Sequence, residues 1–517
     1  MQMRQGMKRL LAGVTAVVLL SGVAVASEGA IRIDLAGTYA TGVFDEGAAE
    51  IPAFDPASKR LFVVNGFTDA IDVIDIADPA RPSLLTSIAV GALGSPNSVA
   101  VAGGIVAVAI EDGVVTNPGR VAFFDTAGNR LKVVRVGALP DMLTFTPDGR
   151  RVLVANEGEA DEGVDPVGSV SIIDLSAGVA NATVQTLGFI RFNRERSTLK
   201  AAGVRFVDPN ATVAQDLEPE YIAVAADGRR AWVTLQENNA LALIDLVRPR
   251  ITGIVPLGAK DHRAAASGLD ASDEDGGIFI RRWPVFGLYM PDSIAAYRTG
   301  GGTYLITANE GDSRGEDVEV QDLALDPVAF PDAAFLQEER NLGVLEVSAI
   351  DGDPDGDGRY NRLFAYGARS FSIWSATGDL VWDSGDRLEQ ITARRYPADF
   401  NATNDENGSF DDRSPAKGPE PEGVAVGSVS GRTYAFVGLE RIGGIVVFDV
   451  TDPTRPRFIA YTNNRDFAGD PAAGTAGDLG PEGLLFIPAA AAPTGVPLLV
   501  VANEVSGTTS IYTISDR

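Results

Sequence analysis

Residues Pro140–Glu159 read PDMLTFTPDGRRVLVANEGE, and Gly168–Ser176 follow as GSVSIIDLS. A short β-branched run meets Asp148-Gly149, a second run ends in a polar step at Asn156-Glu157, and a third ends in Asp174. An Asp-Gly pair accepts the positive φ of a tight hairpin turn, so this is three strands of an antiparallel sheet. The pattern recurs at 219–239 (PEYIAVAADGRRAWVTLQENN, turn at Asp227-Gly228) and continues as ALALIDLV. Third strands also stand out as AIDVIDI, RVAFFD, IVVFDV and TSIYTI. The spacing gives units opening at Glu50, Asn97, Asp141, Glu220, Asp292, Glu422 and Glu482.

A repeat of short strands at this spacing predicts an all-β fold, a single β-propeller of seven blades. A pair of β-sandwiches is the competing arrangement. At roughly 45 residues per blade the blades leave chain to spare, which falls in insertions near 190–215, 259–290, 313–345 and 390–419. The stretch 343–386 reads either as part of a decorated fifth blade or as an eighth blade. The last unit lacks a fourth strand, and residues 31–40 (IRIDLAGTYA) are placed to supply it and close the ring.

Composition narrows the function. The 517 residues carry 43 Lys+Arg against 70 Asp+Glu, a net charge of −27. Such a field repels phosphate backbones and anionic lipid, so nucleic acid is not an expected partner, and divalent cations or mineral surfaces are. There is no cysteine and one histidine, His262. Thiolate metal sites, disulfides and multi-histidine zinc sites are excluded, which leaves oxygen ligation of Ca²⁺ or Mg²⁺. The polar setting of His262 predicts a surface residue.

At the N-terminus Arg4, Lys8 and Arg9 precede an apolar stretch, Leu10–Val25, and an A-x-A site at Ala24–Ala26. This predicts a signal peptide over 1–26 and a propeller over 27–517, periplasmic or secreted, with no membrane span once the signal is removed. The C-terminal Ile514–Arg517 carries no recognisable sorting tail.

Two acidic positions travel with the repeat. The first strand opens on Asp141, Glu220, Asp292, Glu422 and Glu482, with Asn97 and Glu50 in the equivalent places. The second strand ends near Glu111, Glu157, Glu237, Glu310, Glu440 and Glu504. A propeller's first strand lines the channel, so both sets should ring one mouth. They serve either as a cation site or as caps of the repeat itself. Glu157, Glu310, Asp141 and Asp292 are the candidate catalytic acids, and Arg369 and Arg441, beside glycines, are candidate anion contacts or salt bridges. Separately, Asp351, Asp353, Asp355 and Asp357 alternate in DGDPDGDGRYN with Gly356 and Gly358, the front half of a Ca²⁺ loop. No acid closes that loop: Phe364 stands at the closing position.

The stretches LPDMLTFTPDGRRVLVANEGE, AWVTLQENNALALIDL, YGARSFSIWS and GPEGLLFIP resemble the choice-of-anchor I family. That family includes exported proteins often labelled alkaline phosphatase and is similar to mesenchyme-specific cell-surface glycoproteins. The resemblance implies an exported propeller with Ca²⁺ as cofactor. The histidine-rich zinc site of familiar alkaline phosphatases cannot be built from one histidine. Two functions stay open: a calcium-binding extracellular propeller that binds a ligand or surface, and a metal-dependent phosphohydrolase acting on phosphate esters through the mouth acids. No nucleophile–base pair is legible.

Overall fold

A computed structural model describes residues 31–517. The predicted signal peptide lies outside the described residues. Seven four-stranded antiparallel sheets follow one another along the chain at 52–89, 96–138, 140–188, 222–256, 294–383, 421–462 and 481–516, the last completed by 31–40. We number them blades 1 to 7. Their innermost strands touch in cyclic order, blade 7 returning to blade 1, so the sheets form a closed ring.

The ring closes where the sequence predicts. Strand Ile31–Ala40 pairs antiparallel with Thr508–Asp516, from Ile31 opposite Asp516 to Ala40 opposite Thr508. Closure hides the hydrogen-bonding edge that a free terminal strand would expose.

The strands are apolar on both faces, as sheets packed on two sides must be. Burial is organised between blades. Leu153, Ile172, Val233 and Ala242 join blades 3 and 4. Ile31, Phe436, Val447 and Ile514 join blades 6 and 7, and Leu61, Ile74, Val500 and Ile511 join blades 7 and 1. Glycine is needed where inner strands meet near the axis. A Cβ on Gly423 would lie 1.9 Å from the Glu482 carbonyl oxygen, and one on Gly483 would lie 2.2 Å from that of Glu50.

The segment 343–386 makes no eighth blade. Strand Ser370–Ser375 pairs with Gly302–Asn309, so residues between them are an insertion inside blade 5. That insertion and the 259–290 segment share a small core of their own, including Leu269, Trp283, Leu342, Val347 and Leu363. A short parallel pairing, Phe286 with Phe364 and Gly287 with Ala365, joins the two segments.

Ile514 is 1% exposed on the closing strand. Ile514→Ala should cost about 2–5 kcal/mol of unfolding free energy in urea titration. Deleting residues 31–40 should produce concentration-dependent aggregation by light scattering.

Candidate functional site

The two acidic positions meet because hairpin geometry puts them at one end. Pro140 pairs with Asn156, Pro421 with Leu439 and Pro481 with Asn503, so Asp141 and Glu157, Glu422 and Glu440, and Glu482 and Glu504 leave each hairpin side by side. In these three blades, and at Pro96–Ser98 of blade 2, the register slips just after the proline. A bulge there re-aims the side chain that precedes regular pairing. The residue before the proline is left-handed in four blades: Leu139 (φ 44°), Met290 (φ 40°), Glu420 (φ 46°) and Gly480 (φ 66°). Three of the four are not glycine, a conformation that costs of order 1–3 kcal/mol each. Strain recurs at the step that delivers each acid.

The mouth divides into two electrostatic regions. On the side of blades 5 and 6, carboxylates are matched by cations. Lys417 Nζ lies 2.6 Å from Glu310 and 3.1 Å from Glu420. Arg413 reaches Glu420 at 2.6 Å, and Arg441 reaches Glu420 at 3.1 Å and Glu440 at 3.0 Å. Burial alone would raise the Glu420 carboxyl, but these three cations hold it down at about 2. Oxygens of Glu310, Glu420 and Glu440 gather within 4.8 Å, and burial, then the Glu420 carboxylate, still push Glu440 well above the carboxylate range despite Arg441. Arg314 likewise pairs with Asp216, Glu218 and Glu237, yet burial still raises Asp216 and pushes Glu218 up to about 9.

The first-strand acids have far less relief, Lys417 and Arg314 acting on Asp292 and Glu220 only from beyond ion-pair distance. Among the described residues, no ion pair reaches Glu50, Asp141, Glu220, Asp292, Glu422 or Glu482. One oxygen each of Glu220, Glu422 and Glu482 is buried without a hydrogen-bond partner. Burial, then mutual repulsion, pushes Asp141 up to about 7 and Glu50 to about 8. The same causes push Glu157, Glu220, Asp292, Glu422 and Glu482 well above the carboxylate range. The repulsions run across the ring: Asp141 acts on Glu220, Asp292 and Glu482.

Comparison with known proteins follows this geometry. The choice-of-anchor I domain matches residues 50–453. The chain belongs to the choice-of-anchor I family. Choice-of-anchor I relatives include the "Mesenchyme-specific cell surface glycoprotein" of Strongylocentrotus purpuratus, 31% identical over 52% of this chain and 40% of that protein. Another is "Gigasin-3a" of Magallana gigas, 33% identical over 34% of this chain and 66% of that protein. The matches thus span less than two thirds of each relative's length. Among solved structures, the β-propeller domain of Cps50 (Swd1) from Myceliophteria thermophila aligns at TM-score 0.45 and 9% identity, over 94% of this chain and 100% of that one.

In this choice-of-anchor I chain the remaining predicted residues fall in several places. Asp353, Asp355 and Asp357 gather within 4.8 Å of one another. Asp353 also accepts hydrogen bonds from the N–H groups of Gly356 and Gly358. Asp351 is drawn away: its Oδ2 accepts from Arg205 Nε and from Ser348 Oγ, both at 2.7 Å. Arg369 is buried and donates to the carbonyls of Asp270, Ser414 and Ala416 and to Glu389, so its fork is occupied by protein. The expectation of a surface His262 is corrected: it is 1% exposed, with Nδ1 2.7 Å from the Ser267 carbonyl oxygen. Burial, then Lys260 and Arg369, lower it to about 3, which keeps the ring neutral.

A cleft of about 720 Å³ opens beside the acidic loop, lined by Phe286, Leu288, Phe364, Lys200, Arg362 and Asp351. Phe286 and Phe364 stack at 5.5 Å on its wall. No local motif marks it, because its walls come from five separate stretches of chain between Lys200 and Phe364.

In chelator, the fold should respond to pH in a defined sense. Asp141 and Glu50 keep their protons up to about pH 7 and 8 when folded, but ionise near pH 4 when unfolded. The folded state holds more protons in that window, so stability falls as pH rises through it. Glu420 works oppositely, losing its contribution as pH falls toward 2. Melting temperature should therefore peak in the mildly acidic range and decline toward pH 8. A flat profile between pH 5 and 8 would contradict this assignment.

Proposed function

We propose that this chain is an extracellular, calcium-binding β-propeller that binds a ligand or surface at its channel mouth. One observation carries the reading: six inner-strand carboxylates converge without an ion pair, and oxygens of three are buried without a hydrogen-bond partner. Buried acceptors of one sign need a cation or a proton. The donor set is all oxygen, which suits a hard divalent ion. The acidic Asp353–Asp357 turn offers a second, more exposed position for Ca²⁺. The cleft beside it, with apolar walls and a mixed rim, is the place for an organic ligand.

An outside location is supported by family membership and by a relative whose name describes a cell-surface glycoprotein. No helix among the described residues is long and apolar enough to cross a membrane. The second reading, a metal-dependent phosphohydrolase, is favoured by one feature. Lys417, Arg441 and Arg314 stand among the mouth acids, where cations and a bound metal would together stabilise a phosphoryl group.

Calcium should raise the melting temperature at pH 8. At a hundredfold excess over Kd the gain is about 2.7 kcal/mol per site. Glu220→Gln with Glu482→Gln should remove the mouth's share of that gain and stabilise the chelated protein. An unchanged calcium response would refute the mouth site. Chelated and calcium-loaded protein should then be assayed on a panel of phosphate esters. Turnover that needs metal and is lost in Glu157→Gln with Glu310→Gln would favour the enzyme. Absence of turnover with retained calcium binding would favour the binding protein.

A further inference from the structure

A second group of carboxylates lies away from the inner-strand ring, where the 259–290 and 390–419 insertions meet. Asp270 and Asp411 are each 1% exposed, and Asn401 is fully buried. Each has one acceptor oxygen with no hydrogen-bond partner: Asp270 Oδ1, Asp411 Oδ2 and Asn401 Oδ1. Their other atoms belong to one connected network. Asp270 N–H donates to Glu389 Oε2 at 3.3 Å, and Asn401 Nδ2 donates to Glu389 Oε1 at 3.2 Å and to Ser414 Oγ at 2.9 Å. Ser414 Oγ donates to Asp411 Oδ1 at 2.5 Å. The network fixes three residues whose remaining oxygens are all acceptors.

No donor answers them. The one cation in the network, Arg369, pairs with Glu389 and gives its other hydrogen bonds to backbone carbonyls. Asp273 and Asp275, from the same insertion as Asp270, add further repulsion on Asp411. Asn401 (φ 44°) and Asp411 (φ 73°) are held in left-handed backbone, a cost that persists only where surroundings impose it. Asn401 and Asp411 are joined through Ser414, and the Asp411 carboxylate acts on Asp270, so three oxygens without partners lie in one network.

We propose that Asp270, Asn401 and Asp411 hold a calcium ion that joins the two insertions. Ca²⁺ accepts irregular sets of carboxylate and amide oxygens, whereas Mg²⁺ demands near-octahedral geometry and keeps its waters. The site is independent of the inner-strand ring and of the Asp353–Asp357 turn. Its consequence reaches the mouth: the 390–419 insertion carries Arg413 and Lys417, two of the three cations that neutralise Glu420. Calcium here positions those cations.

The test uses the full chain and Ca²⁺ itself. Calorimetric titration of Asp270→Asn with Asp411→Asn should count one Ca²⁺ fewer than wild type. Limited proteolysis should show calcium protecting the 271–280 and 402–412 segments in wild type and in Glu220→Gln with Glu482→Gln, but not in the Asp270/Asp411 variant. In chelator that variant should melt no lower than wild type, because buried repulsion is relieved. Asn401→Ala removes a neutral ligand and should weaken the same equivalent at least tenfold; it carries the test if the double variant does not fold. Unchanged stoichiometry and protection in these variants would overturn the proposal. Loss of calcium response in the Glu220/Glu482 variant alone would support the mouth site and leave this one refuted.

Discussion

Closure of the ring is the constraint on which the molecule depends. Once strand 31–40 pairs with 508–516, seven sheets must share one axis, and their inner strands must start at one mouth. Any residue placed at the head of the repeat is then multiplied around that axis. Here the residue is an acid in most blades, so a local choice of sequence becomes a collective electrostatic problem.

The protein meets that problem in two ways. Glu310, Glu420 and Glu440 are paired with cations, Lys417 and Arg413 on an insertion and Arg441 at a strand end. The inner acids have received no such partners. Compensating the whole ring would have been a matter of a few more basic residues, and the −27 chain lacks them there. Strained residues such as Leu139 and Met290 point the same way, since a fold does not ordinarily repeat a costly backbone step without return.

Much of the fold was legible because the repeat is written in local signals. Asp148-Gly149 and Asp227-Gly228 announce hairpins, and the step from strand to polar residue marks each unit. The convergence of Asp141, Glu220 and Glu482 follows from their equivalence in the repeat. What was not legible is long-range. His262 sits among polar residues in sequence but is buried, its backbone N–H bonded to the Val285 carbonyl and its ring beside Gly287. Asp351 looks like its neighbours Asp353 and Asp355, yet Arg205, far away in sequence, claims it. Asp270, Asn401 and Asp411 share no motif; only tertiary packing makes them neighbours.

The closing pair also sets how the molecule bears load. Ile31 and Asp516 lie opposite each other at one end of an antiparallel pair. Force drawn through Ile31 and Asp516 would open their hydrogen bonds one after another, like a zipper, and peel away the strand that completes blade 7. Force applied across the ring would instead load the contacts between all seven blades together.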